Sequence, residues 1–262
     1  MSNELGNEQQ IHLRKKSDAF LKWTYETRGA CNTARYLGTD DPDSLGWDVI
    51  FDHLKHDGVF GFRLIPTDAI GDVEERLKRE GYDIDFWDVF TGSATDVLDT
   101  VDDLPLGTAA DLELVPEDQF DDPTVMHAIQ ECMIRSGVAP FSGLMLSGDA
   151  MPSSLTALRE AGGRVVATAF GYLPHNRFSP HEKSAWVGLV SIDENWRGLR
   201  LGVTVNAMAV RACVTKLEAH TVYEMVSETN LASRRMVERC GLSFNHFYKS
   251  GIAKSAGGRF TT

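Results

Sequence analysis

At 262 residues the chain has room for one large or two modest domains, and its 42% hydrophobic and 24% charged residues supply a core without leaving the soluble average. The net charge of −12 is unevenly spread, with 11 Lys+Arg against 22 Asp+Glu in residues 1–110 and 15 against 16 in residues 111–262. That balance argues against a nucleic-acid partner, which needs a basic footprint to displace counterions from phosphate; it serves solubility, and would also tolerate a cationic substrate.

The first twenty residues carry no signal-like apolar run, and no segment approaches the ~18 apolar residues of a membrane span, so a cytoplasmic chain with no membrane partner is expected. Cys31, Cys132, Cys213 and Cys240 lie far apart with no C-x-x-C spacing, which predicts buried free thiols and no metal site.

In chain order, a helix is expected from Ser17 to about Arg28, then the polar link GTDDPDSLG and a helix over Trp47–His56. GVFGFRLIP alternates as a strand, Thr67 or Asp68 caps a helix through Lys78, Gly81 stops it, and YDIDFWDVF alternates again. The aspartate-rich stretch 91–111 is the expected boundary between a domain of residues 1–110 and one of residues 111–262. Beyond it come a strand (DLELV), an acidic-fronted helix (EDQFDDPTVMHAIQECMIRSG), a loop (VAPFSGLMLSGDAMPSS), and two strands joined at Gly162-Gly163, a strong hairpin signal. SAWVGLVSID is a third strand, WRGLRLG leads into a helix through about Lys216, TVYEMVS is a strand, ASRRMVERC a helix stopped by Gly241, and FNHFYKSGI the last strand.

A strand that enters a glycine-containing turn and then a helix aims several backbone N–H groups at one point, with the positive end of the helix dipole behind them. NWRGLRLG has that context and adds Arg197 and Arg200, so it reads either as a phosphate cradle or as an ordinary basic turn. Neither G-x-x-x-x-G-K-S/T nor G-x-G-x-x-G occurs, which removes support for nucleotide-triphosphate hydrolysis and dinucleotide binding.

Arg197 and Gly202 after the third strand of the meander, Asn230 after VYEMVSET, Ser233 three residues on, and Gly241-Leu242 eleven and twelve residues on follow one spacing throughout. With these residues, the stretch 111–262 resembles the GNAT superfamily of N-acetyltransferases. The resemblance implies an α/β fold with a mixed sheet flanked by helices, whose fourth and fifth strands splay to admit acetyl-CoA, preceded here by a smaller α/β domain. It implies that the pantetheine arm pairs with Val190, Ser191 and Ile192, that the pyrophosphate rests on the N–H groups of Arg197, Gly198, Leu199, Arg200, Leu201, Gly202 and Val203, and that Asn230 and Ser233 face the arm from the far wall. It further implies direct acetyl transfer to an amine of a small molecule or peptide, with no metal and no covalent enzyme intermediate.

Two positions depart from the family pattern. The central glycine is Arg200, which keeps its N–H and serves if its φ is negative, with its side chain toward phosphate or solvent. The usual tyrosine acid is Val237, leaving Tyr248 or a water to protonate the thiolate, while Glu224 is the best-placed base, with Glu182 and His181 behind it. In the first half, VEERLKREGYDIDFWDVF echoes VERCGLSFNHFY, and GVFGFRLIPTD parallels TVYEMVSETN. Residues 58–90 would then be the tail of a degenerate second copy, unable to hold coenzyme A and serving as a wall of the acceptor site or a homodimer surface. The functional expectation is an acetyl-CoA-dependent N-acyltransferase; the alternative is an impaired acyl-CoA sensor or assembly domain.

Overall fold

The computed structural model describes residue 5 and residues 8–105 and 112–256, and the expected boundary at residues 110–111 lies outside the described residues. The first half comprises α1 (Glu8–Ala19), α2 (Leu21–Glu26), β1 (Ala30–Asn32), β2 (Leu37–Thr39), α3 (Pro42–Leu45), α4 (Trp47–Asp57), β3 (Val59–Pro66), α5 (Ile70–Arg79), β4 (Tyr82–Ser93) and α6 (Ala94–Asp102). Two expectations change here. The first helix begins earlier than Ser17 and breaks at Phe20. Much of the stretch 91–111 is structured: β4 runs to Ser93, whose Oγ accepts from the Asp96 N–H at 3.2 Å and so starts α6. Aspartates at 96, 99 and 102 mask the apolar pair Val97 and Val101, four residues apart, both of which are buried.

The second half contains β5 (Leu112–Leu114), α7 (Pro123–Arg135), α8 (Gly143–Ser147), β6 (Ser153–Glu160), β7 (Val165–Tyr172), β8 (Ser184–Ile192), α9 (Leu201–Thr215), β9 (Thr221–Val226), α10 (Leu231–Arg239) and β10 (Ser243–Ser255). The short α8 lies in the segment expected to be loop, where Ser142 Oγ accepts from the Met145 N–H at 3.3 Å.

The ten strands of the described residues join one mixed sheet in the order β1-β2-β3-β10-β4-β9-β8-β7-β6-β5. The order has an internal symmetry. β1 is antiparallel to β2 and β2 parallel to β3; likewise β7 is antiparallel to β8 and β8 parallel to β9. Between the two sets the last strands of the halves are exchanged: β10 lies antiparallel between β3 and β4, and β4 antiparallel between β10 and β9. The strand–helix–strand unit β3-α5-β4 therefore recurs as β9-α10-β10.

The sheet has a separate core on each face. Val97, Val101, Val205, Ala209, Val210 and Val237 of α6, α9 and α10 pack on one side. Met126, Ile129 and Met145 of α7 and α8 pack with Phe170, Tyr172, Trp186 and Tyr223 on the other. On this second side β1 is held against the segment that follows β7: Cys31 bridges His175, the Asn32 N–H donates to Pro174 O at 2.9 Å, and Tyr172 Oη donates to Asn32 O at 2.9 Å. A third cluster, under α4 and α5, is built on Ile50, Leu54, Phe60, Phe62 and Leu77.

Candidate active site

β8 and β9 start as a parallel pair and then separate. Ladder pairing covers Ser184 with Thr221, Ala185 with Val222 and Trp186 with Tyr223, and stops there, although β8 continues to Ile192 and β9 to Val226. The cause lies on the other edge of β8. Its register with β7 shifts between Thr168 and Phe170, Leu189 adopts φ +52°, and the Leu189 carbonyl accepts from Thr168 Oγ1 at 3.1 Å and Ser191 Oγ at 3.2 Å. Such a bulge bends the strand and ends regular pairing. Val190, Ser191 and Ile192 therefore sit on a β8 edge with no ladder partner on β9, open to an extended amide-bearing chain.

The turn after Ile192 is pinned at its base. Asp193 binds Arg164 at 2.6 Å and accepts from the Asn195 N–H, and Trp196 Nε1 donates to Glu160 Oε1 at 2.8 Å. Gly198 takes φ +81°, and Arg200 takes φ +61°, ψ 10°, a left-handed conformation rather than the negative φ expected from the sequence. The chain must reverse here to enter α9, so Arg200 keeps glycine's geometry without glycine's freedom. Its side chain is exposed, as are those of Arg197 and Leu199. Arg200 supplies no side-chain cap to the 15-residue α9. In the first turn of a helix the N–H groups, here those of Leu201, Gly202 and Val203, have no carbonyl four residues back within the helix, so they and the helix dipole converge on one point. A Cβ at Gly202 would meet Met236 Sδ at 3.4 Å and Ile192 Cγ1 at 3.9 Å, so the turn lies against the mouth of the fork.

The other candidates fall in different places. Asn230 is the N-cap of α10, its Oδ1 accepting from the Ser233 N–H at 3.1 Å, and both residues lie on the β9 side of the fork. Glu224 is only 4% exposed and faces α9, where Asn206 Nδ2 donates to its Oε1 at 2.7 Å; burial raises its carboxyl to about 8 against the lowering effect of that bond. Strand alternation puts it on the side opposite Tyr223, inside the α9 core, so the base expected from the sequence is a buried core acid. Val237 is likewise buried in that core. Glu182 is exposed. Tyr248 and His181 do meet, rings edge to face at 5.3 Å, and they line a cavity of about 600 Å³ with Tyr223, Ser184 and Asn245. Desolvation, with His175 adding to it, lowers the His181 imidazole to about 4, so it is neutral near pH 7.

Two groups at the fork carry no motif. His175 Nδ1 lies 2.6 Å from Asp40 Oδ2, and its Nε2 lies 3.1 Å from Tyr223 Oη. Because a carboxylate only accepts, the proton sits on Nδ1 and Tyr223 donates to Nε2. Burial raises the Tyr223 phenol well above its ordinary value. Beside this chain, Arg63 of β3 lies over the Trp186 ring at 5.7 Å and touches Met225 Sδ. Asp40 and His175 are 135 residues apart, and His175 and Tyr223 are 48 apart, so no local spacing could reveal either group.

Residues 124–242 match the family model described as the acetyltransferase (GNAT) family. This segment is a GNAT domain. It takes in α7 through α10, with the fork and the pinned turn, and ends one residue before β10. No curated protein matches the chain. The GNAT domain and the strands ahead of it share a fold with solved structures. One is a Drosophila protein at 14% identity, with 95% of this chain and 90% of that one covered and a TM-score of 0.57. A GCN5-related N-acetyltransferase from Kribbella flavida, at 12% identity, covers 94% and 96% at 0.56. A tandem GNAT protein from the clavulanic acid biosynthesis pathway, at 11% identity, covers 93% and 89% at 0.52.

Proposed function

We propose that the chain is an acetyl-CoA-dependent N-acyltransferase that passes an acetyl group directly to an amine. The observation that carries this reading is the β8–β9 fork beyond Trp186 and Tyr223, which opens beside the unpaired N–H groups of α9. Coenzyme A needs an apolar slot with a strand edge for its amide-bearing arm and an anion site at the mouth, and the residues present fit both. Val190, Ser191 and Ile192 would hold the arm; Arg197 through Val203 would receive the pyrophosphate, with two exposed guanidinium groups adding charge. Asn230, whose Oδ1 caps α10 by accepting from the Ser233 N–H, would face the same arm together with Ser233. The bound cofactor supplies an acetyl thioester, and the chain's own residues orient it, exclude water and move protons.

For proton transfer, Tyr223, His175 and Asp40 stand where the fork closes. Tyr223 Oη would take a proton from the incoming ammonium as it gives its own to His175 Nε2, with Asp40 stabilising the imidazolium; the reverse path would return the proton to the thiolate. No free tyrosinate forms, which suits a phenol whose ionisation is suppressed by burial. Residues 1–110 fit a degenerate copy of the same fold. There the equivalent of the phosphate turn is the acidic DDPDSLG, and a Cβ on Gly61 of β3 would strike Thr33 Cγ2 at 2.7 Å, so side chains fill the space that the second copy leaves open.

Calorimetric titration of acetyl-CoA tests the reading. Wild type should bind and Gly202→Glu, which puts a carboxylate among the open N–H groups, should lose at least tenfold in affinity. Equal binding by the two proteins would refute the slot. Thiol release with an amine panel separates an enzyme from a binding domain.

A further inference from the structure

Burying a guanidinium is costly unless a carboxylate or a full set of acceptors compensates it. Arg63 is 6% exposed, and among the described residues no ion pair joins it to an acid. The nearby carboxylate, Asp40, is taken by His175. Arg63 Nε has no hydrogen-bond partner, and the contact of Nη1 with the Met225 thioether is a poor substitute for oxygen. The Trp186 ring face offsets part of the cost, and the neighbouring Tyr172 and Tyr223 hydroxyls are engaged with Asn32 O and His175, so nothing beside it supplies a negative charge. A half-buried guanidinium, Arg35, lies in the same cluster over Phe141; its Nη2 donates to Ala139 O, but it has no acid partner and its Nε is unpartnered.

The indole beside Arg63 is in the same condition. Trp186 is 8% exposed and its Nε1 has no partner. Its ring lies back across β8 because Gly188 has no side chain: a Cβ there would fall 2.4 Å from Trp186 Cζ2. Trp186 is also the last β8 residue paired to β9, so this donor stands at the apex of the fork, on the face that carries Tyr223. Two unpartnered N–H donors, one of them on a guanidinium 5.7 Å from the ring that carries the other, stand beside the apex of the fork in a chain whose net charge is −12. The acidity does not answer them, since carboxylates such as Asp52, Glu75 and Asp85 are exposed.

We propose that Arg63 and the Trp186 indole N–H receive the carboxylate of the acceptor, so that the amine acylated at this fork belongs to a small amino carboxylic acid. The assignment rests on reading the fork as the acyl-transfer site. A carboxylate between the two donors would satisfy both and neutralise the buried charge, and the amine one or two carbons away would face the fork and Tyr223 Oη. An amine lacking the carboxylate would leave Arg63 uncompensated, which gives the site a means of rejection.

The experiment compares N-acetyl-L-amino acids with their primary amides, as product-like probes, by thermal shift and calorimetry on the full chain with and without coenzyme A. At least one carboxylate should bind wild type about tenfold or more tighter than its amide. Arg63→Met should abolish that preference while keeping coenzyme A affinity, and should melt no lower than wild type, because an uncompensated buried charge has been removed. Arg63→Lys should retain only part of the preference, lacking the planar fork. Amides that match the carboxylates, a preference that survives in Arg63→Met, or no carboxylate binding to wild type would each overturn the proposal. Failure of coenzyme A to bind, with the carboxylate preference intact, would overturn the fork reading instead.

Discussion

Glu224 shows how environment redefines a residue. With its carboxyl raised to about 8 by burial, it is neutral in the folded chain below that pH, whereas in the unfolded chain it ionises near 4.3. Between those values the folded state holds a proton that the unfolded state has lost. Its contribution to stability is therefore fully present below about pH 4 and is lost as pH rises toward 8. Glu224→Gln should show a flatter decline of melting temperature from pH 5 to 8 than wild type, while keeping acyl transfer; parallel curves would contradict the burial argument. Tyr223→Phe should behave in the opposite sense. The ring still fills its place, stability falls by about 1–2 kcal/mol for the unpartnered His175 Nε2, and kcat falls roughly 10²–10⁴-fold with acceptor KM little changed. Steady-state kinetics with unchanged kcat would remove Tyr223 from proton transfer. At this scale the sequence was a poor guide: Glu224 looked available only because a strand's two faces cannot be told apart without knowing what covers each.

Elements were read better than residues. The meander, the turn and α9, and the β9–α10–β10 unit all follow from local alternation, glycine stops and helical spacing, and all were found close to their expected bounds. The turn was legible because strand, turn and helix are contiguous in the chain. Its one misjudged detail, the φ of Arg200, depends on the direction in which β8 must turn to enter α9, which no spacing records. Arg200→Gly should relieve the left-handed strain and raise stability by up to about 1 kcal/mol in denaturant titration, less what glycine adds to the freedom of the unfolded chain. A loss of stability would mean that the guanidinium makes contacts worth more than the strain. The missed helices, α3 within the polar link GTDDPDSLG together with α6 and α8, are short, and their burial comes from tertiary packing that propensity does not foresee.

For the whole molecule, the echo between VEERLKREGYDIDFWDVF and VERCGLSFNHFY was legible, but the exchange of last strands was not, because either pairing satisfies the same alternation. The exchange is locked by Asp88 of β4, which binds Lys249 of β10 and Arg234 of α10; burial would raise its carboxyl, but these hydrogen bonds win and lower it. A chain ending at Leu242 would leave β3 and β4 as open neighbours of an empty lane. It should lose cooperative unfolding and aggregate, and a peptide of residues 243–255 should partly restore solubility. A soluble, cooperatively folded truncation would show that the halves stand alone.

The position of β10 also sets an order of events during synthesis. β3 and β4 leave the ribosome early, yet the strand that belongs between them is translated after the fork and its turn. The first half must therefore wait with unsatisfied strand edges while the second is made, and its completion coincides with completion of the sheet beside the fork. The first half thus becomes a check on assembly: Arg63, which it contributes on β3, is held beside Trp186 and Met225 by a strand that the last strand flanks.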